Sequence, residues 1–179
     1  MSVFIALFRG VNVGGHNKLP MAQLRALVST LGASKVETYI QSGNAVFALP
    51  AARAKAFPEK LSALIKRDFG YCPHILMLEG KAFHKVLRDN PYAAANTDPS
   101  KLHVMFLEKK ADTKLLNDIQ KLLVGDEQLS AVGKVIFLNA PAGIGRSKAA
   151  EKLTKAFPDG TSRNWRSCLK LAEMADTLR

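Results

Sequence analysis

The run Val3-Phe4-Ile5-Ala6-Leu7-Phe8-Arg9 is apolar at six consecutive positions before its first charged residue. A strand with one wet face would alternate apolar and polar residues. An unbroken run rich in Val, Ile and Phe instead predicts a strand that is buried on both faces. The segment Leu102 to Leu107 has the same character. We therefore expect two central strands, with the rest of the fold built outward from them.

Around the first run the pattern predicts the order strand, helix, strand, strand, helix, strand. Pro20 opens the first helix and Gly32 ends it. Gln41-Ser42-Gly43-Asn44 has the composition of a hairpin turn between two strands. The predicted elements are strand 3–9, helix 20–31, strand 36–40, strand 45–49, helix 54–68 and strand 75–78.

The second half of the chain repeats this order after a predicted helix over 80–88 and a linker over Asn90–Pro99. Its elements are strand 102–107, helix 111–124, strands 128–132 and 135–138, helix 147–157, short strand 160–163 and a last helix 164–178. We predict an α+β fold of duplicated βαββαβ (ferredoxin-like) halves with antiparallel sheets and an extra C-terminal helix. The predicted domains are 1–79, a bridging helix and linker over 80–99, and 100–179.

In this arrangement helices cover only one face of each sheet, yet both central strands are apolar on two faces. Burial of apolar surface contributes ~25 cal/mol per Å², so a second cover is expected. Candidates are the other half, the bridging and terminal helices, or another subunit in a homodimer.

The chain of 179 residues has 26 Lys and Arg against 15 Asp and Glu, a formal net charge of +11. Such a charge favours anionic partners, namely nucleic acid, nucleotides or phosphorylated metabolites, although a basic but inert surface would give the same total. Residues 146–170 hold seven basic and two acidic residues, a local excess of +5. The basic residues there are Arg146, Lys148, Lys152, Lys155, Arg163, Arg166 and Lys170.

Several classes of protein are not predicted. No apolar run approaches the ~20 residues of a membrane span, and Arg9-Gly10 follows the first run where a signal peptide would have a cleavage site. Cys72 and Cys168 have no pairing motif, which is typical of free thiols in the cytoplasm. The four histidines are not at metal-binding spacing and no nucleophile motif is present. We expect no metal and no cofactor, and leave open whether the protein is an enzyme.

The loop between the first strand and the first helix is the first candidate for ligand binding. Gly14 and Gly15 allow close backbone approach, Arg9 and Lys18 add positive charge, and a helix start favours anions. The glycine spacing matches neither nucleotide-binding motif, and a purely structural loop would have the same composition.

The turn Gln41-Ser42-Gly43-Asn44 is the second candidate, since its amides would serve a polar ligand as well as a tight hairpin. Together with the loop it predicts one site at one end of the first sheet. The residues expected to lie near one another are Arg9, Asn12, Lys18, Gln41 and Asn44.

Two further candidates lie in the second half. In Gly143-Ile144-Gly145-Arg146-Ser147-Lys148, glycines lead into a helix that Ser147 would cap, and the flanking Arg146 and Lys148 would suit a phosphate. A plain capped helix start is the alternative. Near the end of the chain, Arg163 and Arg166 are candidates for contact with an anion, while the spacing of Trp165 favours a place in the core.

Three segments carry a family resemblance: Leu7-Phe8-Arg9-Gly10-Val11-Asn12-Val13-Gly14-Gly15 with Lys18, Met21 and Leu24; Tyr39-Ile40-Gln41-Ser42-Gly43-Asn44; and Arg163-Asn164-Trp165. Together they resemble the bacterial domain-of-unknown-function family 1697. The resemblance implies a small, single-chain bacterial protein. It implies no activity and supplies no catalytic residues.

Three functions follow from these observations. The charge favours a non-catalytic binder of nucleic acid or another polyanion. The loop and turn favour an enzyme or binding protein acting on a nucleotide or phosphorylated small molecule. A structural or dimeric interaction protein, in which the charge is incidental, is the third.

Overall fold

A computed structural model describes residues 1–93 and 98–178. The first six predicted elements are present in the predicted order, followed by the bridging helix. They are β1 (Ser2–Phe8), α1 (Met21–Thr30), β2 (Ser34–Thr38), β3 (Asn44–Leu49), α2 (Ala51–Ala54), α3 (Phe57–Phe69), β4 (Ile75–Glu79) and α4 (Gly80–Arg88). Of the predicted linker Asn90–Pro99, residues 94–97 lie outside the described residues, as does residue 179 at the end of the predicted second half.

The second set repeats the order. Its elements are β5 (Leu102–Phe106), α5 (Thr113–Gln120), β6 (Gln128–Val132), β7 (Val135–Asn139), a 3-10 turn (Ile144–Arg146), α6 (Lys148–Ala156), β8 (Thr161–Asn164) and α7 (Trp165–Thr177). Each set forms a four-stranded antiparallel sheet, in the orders β2-β3-β1-β4 and β6-β7-β5-β8. The predicted α+β class, with duplicated βαββαβ order and a C-terminal helix, is confirmed.

The chain divides into two compact units. Unit 1 comprises residues 1–84 together with the chain from Lys170 onward, and unit 2 comprises residues 85–169.

Among the described residues, no helix has both the length and the apolar character that crossing a bilayer requires.

Several element boundaries differ from the predicted ones, and three of the differences have a local cause. The helix predicted over 54–68 begins only at Phe57, because Pro58 fits the first turn of a helix, and the separate short helix α2 ends at Ala54. β2 ends at Thr38, shortly before Ile40, which adopts the left-handed region with φ 49° where the chain turns toward β3. α5 begins only at Thr113, where the Asp112 side chain accepts a hydrogen bond from the Leu115 N–H.

The core of unit 1 lies between its sheet and the helices α1 and α3. Phe4 and Phe47 of the sheet are buried in one cluster with Phe57 of α3, and the Phe47 and Phe57 ring centroids are 4.9 Å apart. Ile5 and Leu7 point to the opposite face, because strand side chains alternate, and they are fully buried too. The prediction of a first strand buried on both faces is confirmed.

Unit 2 has a smaller core of the same design. Met105 of β5 and Ile136 of β7 are buried in one cluster with Ile119 of α5 and Leu153 of α6. On the other face of this sheet Val104 is also buried.

Candidate functional site

Asn12 fixes the loop that follows β1. Its Nδ2 donates to the carbonyl of Leu19 at 3.0 Å and to that of Gln41 at 2.8 Å, and its Oδ1 accepts from the Leu19 N–H at 2.8 Å. One side chain therefore closes the loop across seven residues and joins it to the β2–β3 turn. The predicted meeting of loop and turn at one end of the first sheet is observed.

The backbone of this loop is unusual. Asn12 and Asn17 both adopt left-handed conformations, with φ of 55° and 51°, which asparagine tolerates better than other non-glycine residues. Asn17 Nδ2 donates to the Gly10 carbonyl at 2.9 Å, and the Tyr71 hydroxyl donates to the Asn17 carbonyl at 2.9 Å. These bonds tie both ends of the loop to neighbouring backbone, while 63% of Val13 is exposed at its tip.

The β2–β3 turn packs directly against β1 and the loop. The Phe8 N–H donates to the Gly43 carbonyl at 2.9 Å. Gly43 has φ 69°, and a Cβ added there would lie 2.7 Å from Phe8 Cβ and 3.3 Å from Val11 Cβ. The approach is so close that only glycine fits at this position.

The predicted site residues in unit 1 divide into internal and exposed groups. Asn44 is buried, and its amide donates to the Tyr39 carbonyl at 3.1 Å and to Ser42 Oγ at 2.9 Å, so it stabilises the turn from within. Arg9 is partly buried, and its N–H donates to the His74 carbonyl. The exposed members are Gly14, Gly15, Lys18, Gln41 and Ser42. Ligand binding by these residues stays a prediction.

In unit 2 the predicted helix cap is confirmed: Ser147 Oγ accepts from the Ala150 N–H at 3.1 Å at the start of α6. Arg146 and Lys148 on either side of it are exposed. They line an open cavity of about 340 Å³ together with Glu151 and others.

The outward side of α6 is basic. Lys148, Lys152 and Lys155 are all exposed, and their spacing of four and three residues places them on one side of the helix. The Lys155 ammonium lies 2.6 Å from Glu151 Oε1, an exposed ion pair.

Arg163 does not belong to this surface. It is buried in β8, where Nη1 donates to Thr161 Oγ1 and to the Ser162 carbonyl, both at 2.8 Å. Burial lowers the pKa of Arg163 to about 10. Trp165 is buried, as its spacing predicted, whereas Arg166 is exposed.

The two thiols are expected to differ strongly in reactivity. Burial raises the pKa of Cys168 to about 12, and a thiol that stays protonated is a poor nucleophile, whereas Cys72 is exposed. Iodoacetamide at pH 8 should therefore label only Cys72 in the native protein and both thiols in denaturant, as counted by intact mass. Equal labelling rates of both cysteines in the native state would contradict the burial of Cys168.

Two features of the structure have no counterpart in the sequence predictions. The first is His103, which the pattern places only on a strand. Its Nε2 is buried without a hydrogen-bond partner among the described residues, and its side chain lines a cavity of about 70 Å³ beneath α6. Burial lowers the pKa of His103, and nearby Lys101 lowers it further. The other is a larger cavity in unit 1 that includes Lys35 and Lys81. No sequence motif marks either feature.

Within the described ranges, no three His, Cys, Asp or Glu side chains come together as a metal site would require.

Comparison with known proteins places this architecture among bacterial proteins whose function is not established. The solved structure of the conserved bacterial protein SP0830 from Streptococcus pneumoniae is similar over 97% of this chain and 98% of that chain, with 27% identity and a TM-score of 0.75. The chain belongs to the family described as "Protein of unknown function (DUF1697)", whose model matches residues 1–137. The comparison with curated proteins finds no match. The matched range contains the loop and the turn and ends before α6.

Proposed function

We propose that the protein is a non-catalytic binder of nucleic acid and that the α6 basic face, defined as Arg146, Lys148, Lys152 and Lys155, contacts the phosphates. The observation that carries the proposal is the alignment of three exposed lysines on one side of α6, with Arg146 just before its first turn. Seven residues of helix rise about 10 Å, so the lysines extend along a line rather than around one point. A line of positive charge suits a polyanion better than it suits a single small anion.

Not every basic residue of the segment 146–170 belongs to the α6 basic face. Arg163 is buried, and Lys170 is only partly exposed and belongs to unit 1, whereas α6 belongs to unit 2. Lys155 is paired with Glu151, but an exposed pair of this kind contributes only about 0–1 kcal/mol and gives way readily to a phosphate. The α6 basic face and Arg166 are the remaining contributors.

Binding through phosphate contacts should not depend on the nucleotide sequence of the nucleic acid. Phosphate contacts position a protein on nucleic acid, and base contacts specify the sequence. Trp165 is buried and cannot stack on a base, and Phe157 at the end of α6 packs against the core of unit 2. We therefore expect similar affinity for unrelated duplexes of the same length.

Replacing Arg146, Lys148 and Lys152 together by glutamine should weaken DNA binding and flatten its salt dependence. Each phosphate that the protein neutralises on duplex DNA contributes about 0.9 to the slope of log K against log salt, so without these three cations the slope should become less steep by about 2 to 3. The measurement is fluorescence anisotropy of a labelled duplex between low and physiological salt.

The matched control replaces Lys109, Lys110 and Lys134, three exposed lysines of the same unit, and should change the slope by much less. Arg163→Gln should leave the slope unchanged, because that side chain is buried. If both triple variants change the salt slope equally, DNA contacts the lysines of this unit in general rather than the α6 basic face. If wild type binds neither duplex nor single strand at low salt, the nucleic-acid proposal is wrong, and the phosphorylated small-molecule alternative at the exposed loop and turn takes its place.

A further inference from the structure

We propose a second binding site, for a small organic oxyanion, in the cavity at the end of the first sheet opposite to the glycine loop. The ammonium groups of Lys35 and Lys81 would hold a phosphate monoester or a carboxylate there. The site lies in unit 1 and is independent of the nucleic-acid proposal, which rests on α6.

Sheet topology creates the cavity. β1 is antiparallel to both β3 and β4, so the first residues of β1 lie beside the last residues of its two neighbours. Ser2 and Val3 of the central strand β1, Ala48 of β3 and Glu79 of β4 line a space of about 470 Å³. This volume is in the range of small-molecule sites in proteins.

Lys35 reaches the cavity through an irregular backbone. The pairing of β2 with β3 shifts register between Ser34 and Glu37, which is a β-bulge, and Lys35 has φ 51° there. Glycine is the usual residue at a left-handed bulge position, since it adopts positive φ without strain. A bulge redirects the side chain that it carries, and an observed backbone outlier supports a hypothesis of function for the residue that adopts it.

The ammonium of Lys35 is anchored at the wall of the cavity. Its Nζ donates to the Leu178 carbonyl at 3.4 Å. A lysine ammonium has three donors, and this long bond engages one of them. The remaining donors are available to a ligand.

The charges that line the cavity favour an oxyanion with a second polar group. Lys81 lies in the first turn of α4 and adds a second ammonium. Glu79 adds one carboxylate, which would accept a hydrogen bond from a hydroxyl or amine of the ligand. Neither Lys81 nor Glu79 forms an ion pair within the described part of the chain. Among the side chains of the described residues that line the cavity, two ammonium groups stand against one carboxylate, which favours an anionic ligand.

The test is a titration of the full chain with glycerol 3-phosphate, inorganic phosphate and lactate at constant ionic strength, followed by amide chemical shifts. We expect saturable shifts at residues 34–35 and 79–81 with at least one of these probes. Shifts with glycerol 3-phosphate and inorganic phosphate would identify a phosphate site, and shifts with lactate a carboxylate site. Absence of saturable shifts with all three overturns the proposal.

Two variants and two controls make the assignment specific. Lys35→Gly relieves the backbone strain and removes the ammonium, so it should keep wild-type thermal stability or exceed it while affinity falls about tenfold, as for loss of one charged hydrogen bond. Lys81→Gln should weaken binding similarly. Lys60→Gln on α3 should bind the probe as wild type does. A Lys35→Gly protein with unchanged affinity would overturn the role of Lys35.

The proposed oxyanion site and the proposed nucleic-acid surface can be tested independently of each other. The triple variant of Arg146, Lys148 and Lys152 should bind the small probe normally, and Lys35→Gly should bind DNA normally. Loss of probe binding in the α6 variant would overturn the independence of this site.

Discussion

Replacing Gly43 by alanine is expected to lower the free energy of unfolding by about 3 kcal/mol, through overpacking and an unfavourable backbone conformation. The added Cβ would lie 2.7 Å from Phe8 Cβ, a distance that requires the backbone to move, because both atoms are attached directly to main chain. The φ of 69° adds strain for any residue with a Cβ. Urea unfolding followed by circular dichroism measures the change.

Gly15→Ala is the matched control. Gly15 also has positive φ, 80°, but an added Cβ would have nothing within 4 Å. This variant carries the backbone strain alone and should lose only about 1 kcal/mol. The difference between the two variants then measures the steric clash at Gly43. If both lose the same free energy, the close approach of turn and β1 is not as described.

Asn12→Ala is expected to lower the free energy of unfolding by about 3 to 4 kcal/mol. The variant loses hydrogen bonds to Leu19 and Gln41, and leaves the Leu19 N–H without its acceptor in a residue that is fully buried. It also places a residue other than asparagine or glycine at φ 55°. Thermal and urea unfolding would both detect a loss of this size.

Asn12→Gly separates the two causes. It loses the same hydrogen bonds but adopts positive φ freely, so it should be about 1 kcal/mol more stable than Asn12→Ala. If the two variants are equally stable, backbone conformation contributes nothing at this position. If both match wild type, the hydrogen bonds of Asn12 do not stabilise the loop.

The motif residues Asn12 and Gly43 have structural roles. Asn12 and Gly43 belong to the most distinctive segments of the sequence, yet their observed contacts are internal to the protein. They join the loop after β1 to the β2–β3 turn at one end of the first sheet. The exposed side chains of that end, Lys18 and Gln41 among them, remain the candidates for ligand contact there.

The sequence by itself determined the element order, the α+β class and the burial of β1 on both faces. These properties depend on hydrophobic periodicity and on local turn and cap chemistry, which act over a few residues. Ser147 is an example: its cap involves an N–H only three residues away. The boundary errors at Ile40 and Pro58 arose where a single backbone constraint overrode periodicity.

Only the tertiary structure decided which polar residues face solvent. Arg163 and Asn44 were candidates for ligand contact by residue type, but the sheets bury both of them, and each donates hydrogen bonds inside its own unit. Lys35 belonged to no motif, and it lines a cavity because β2 bulges against β3 and because the start of β1 meets the end of β4. The burial and direction of a side chain depend on neighbours that are distant in sequence, and local patterns carry no information about them.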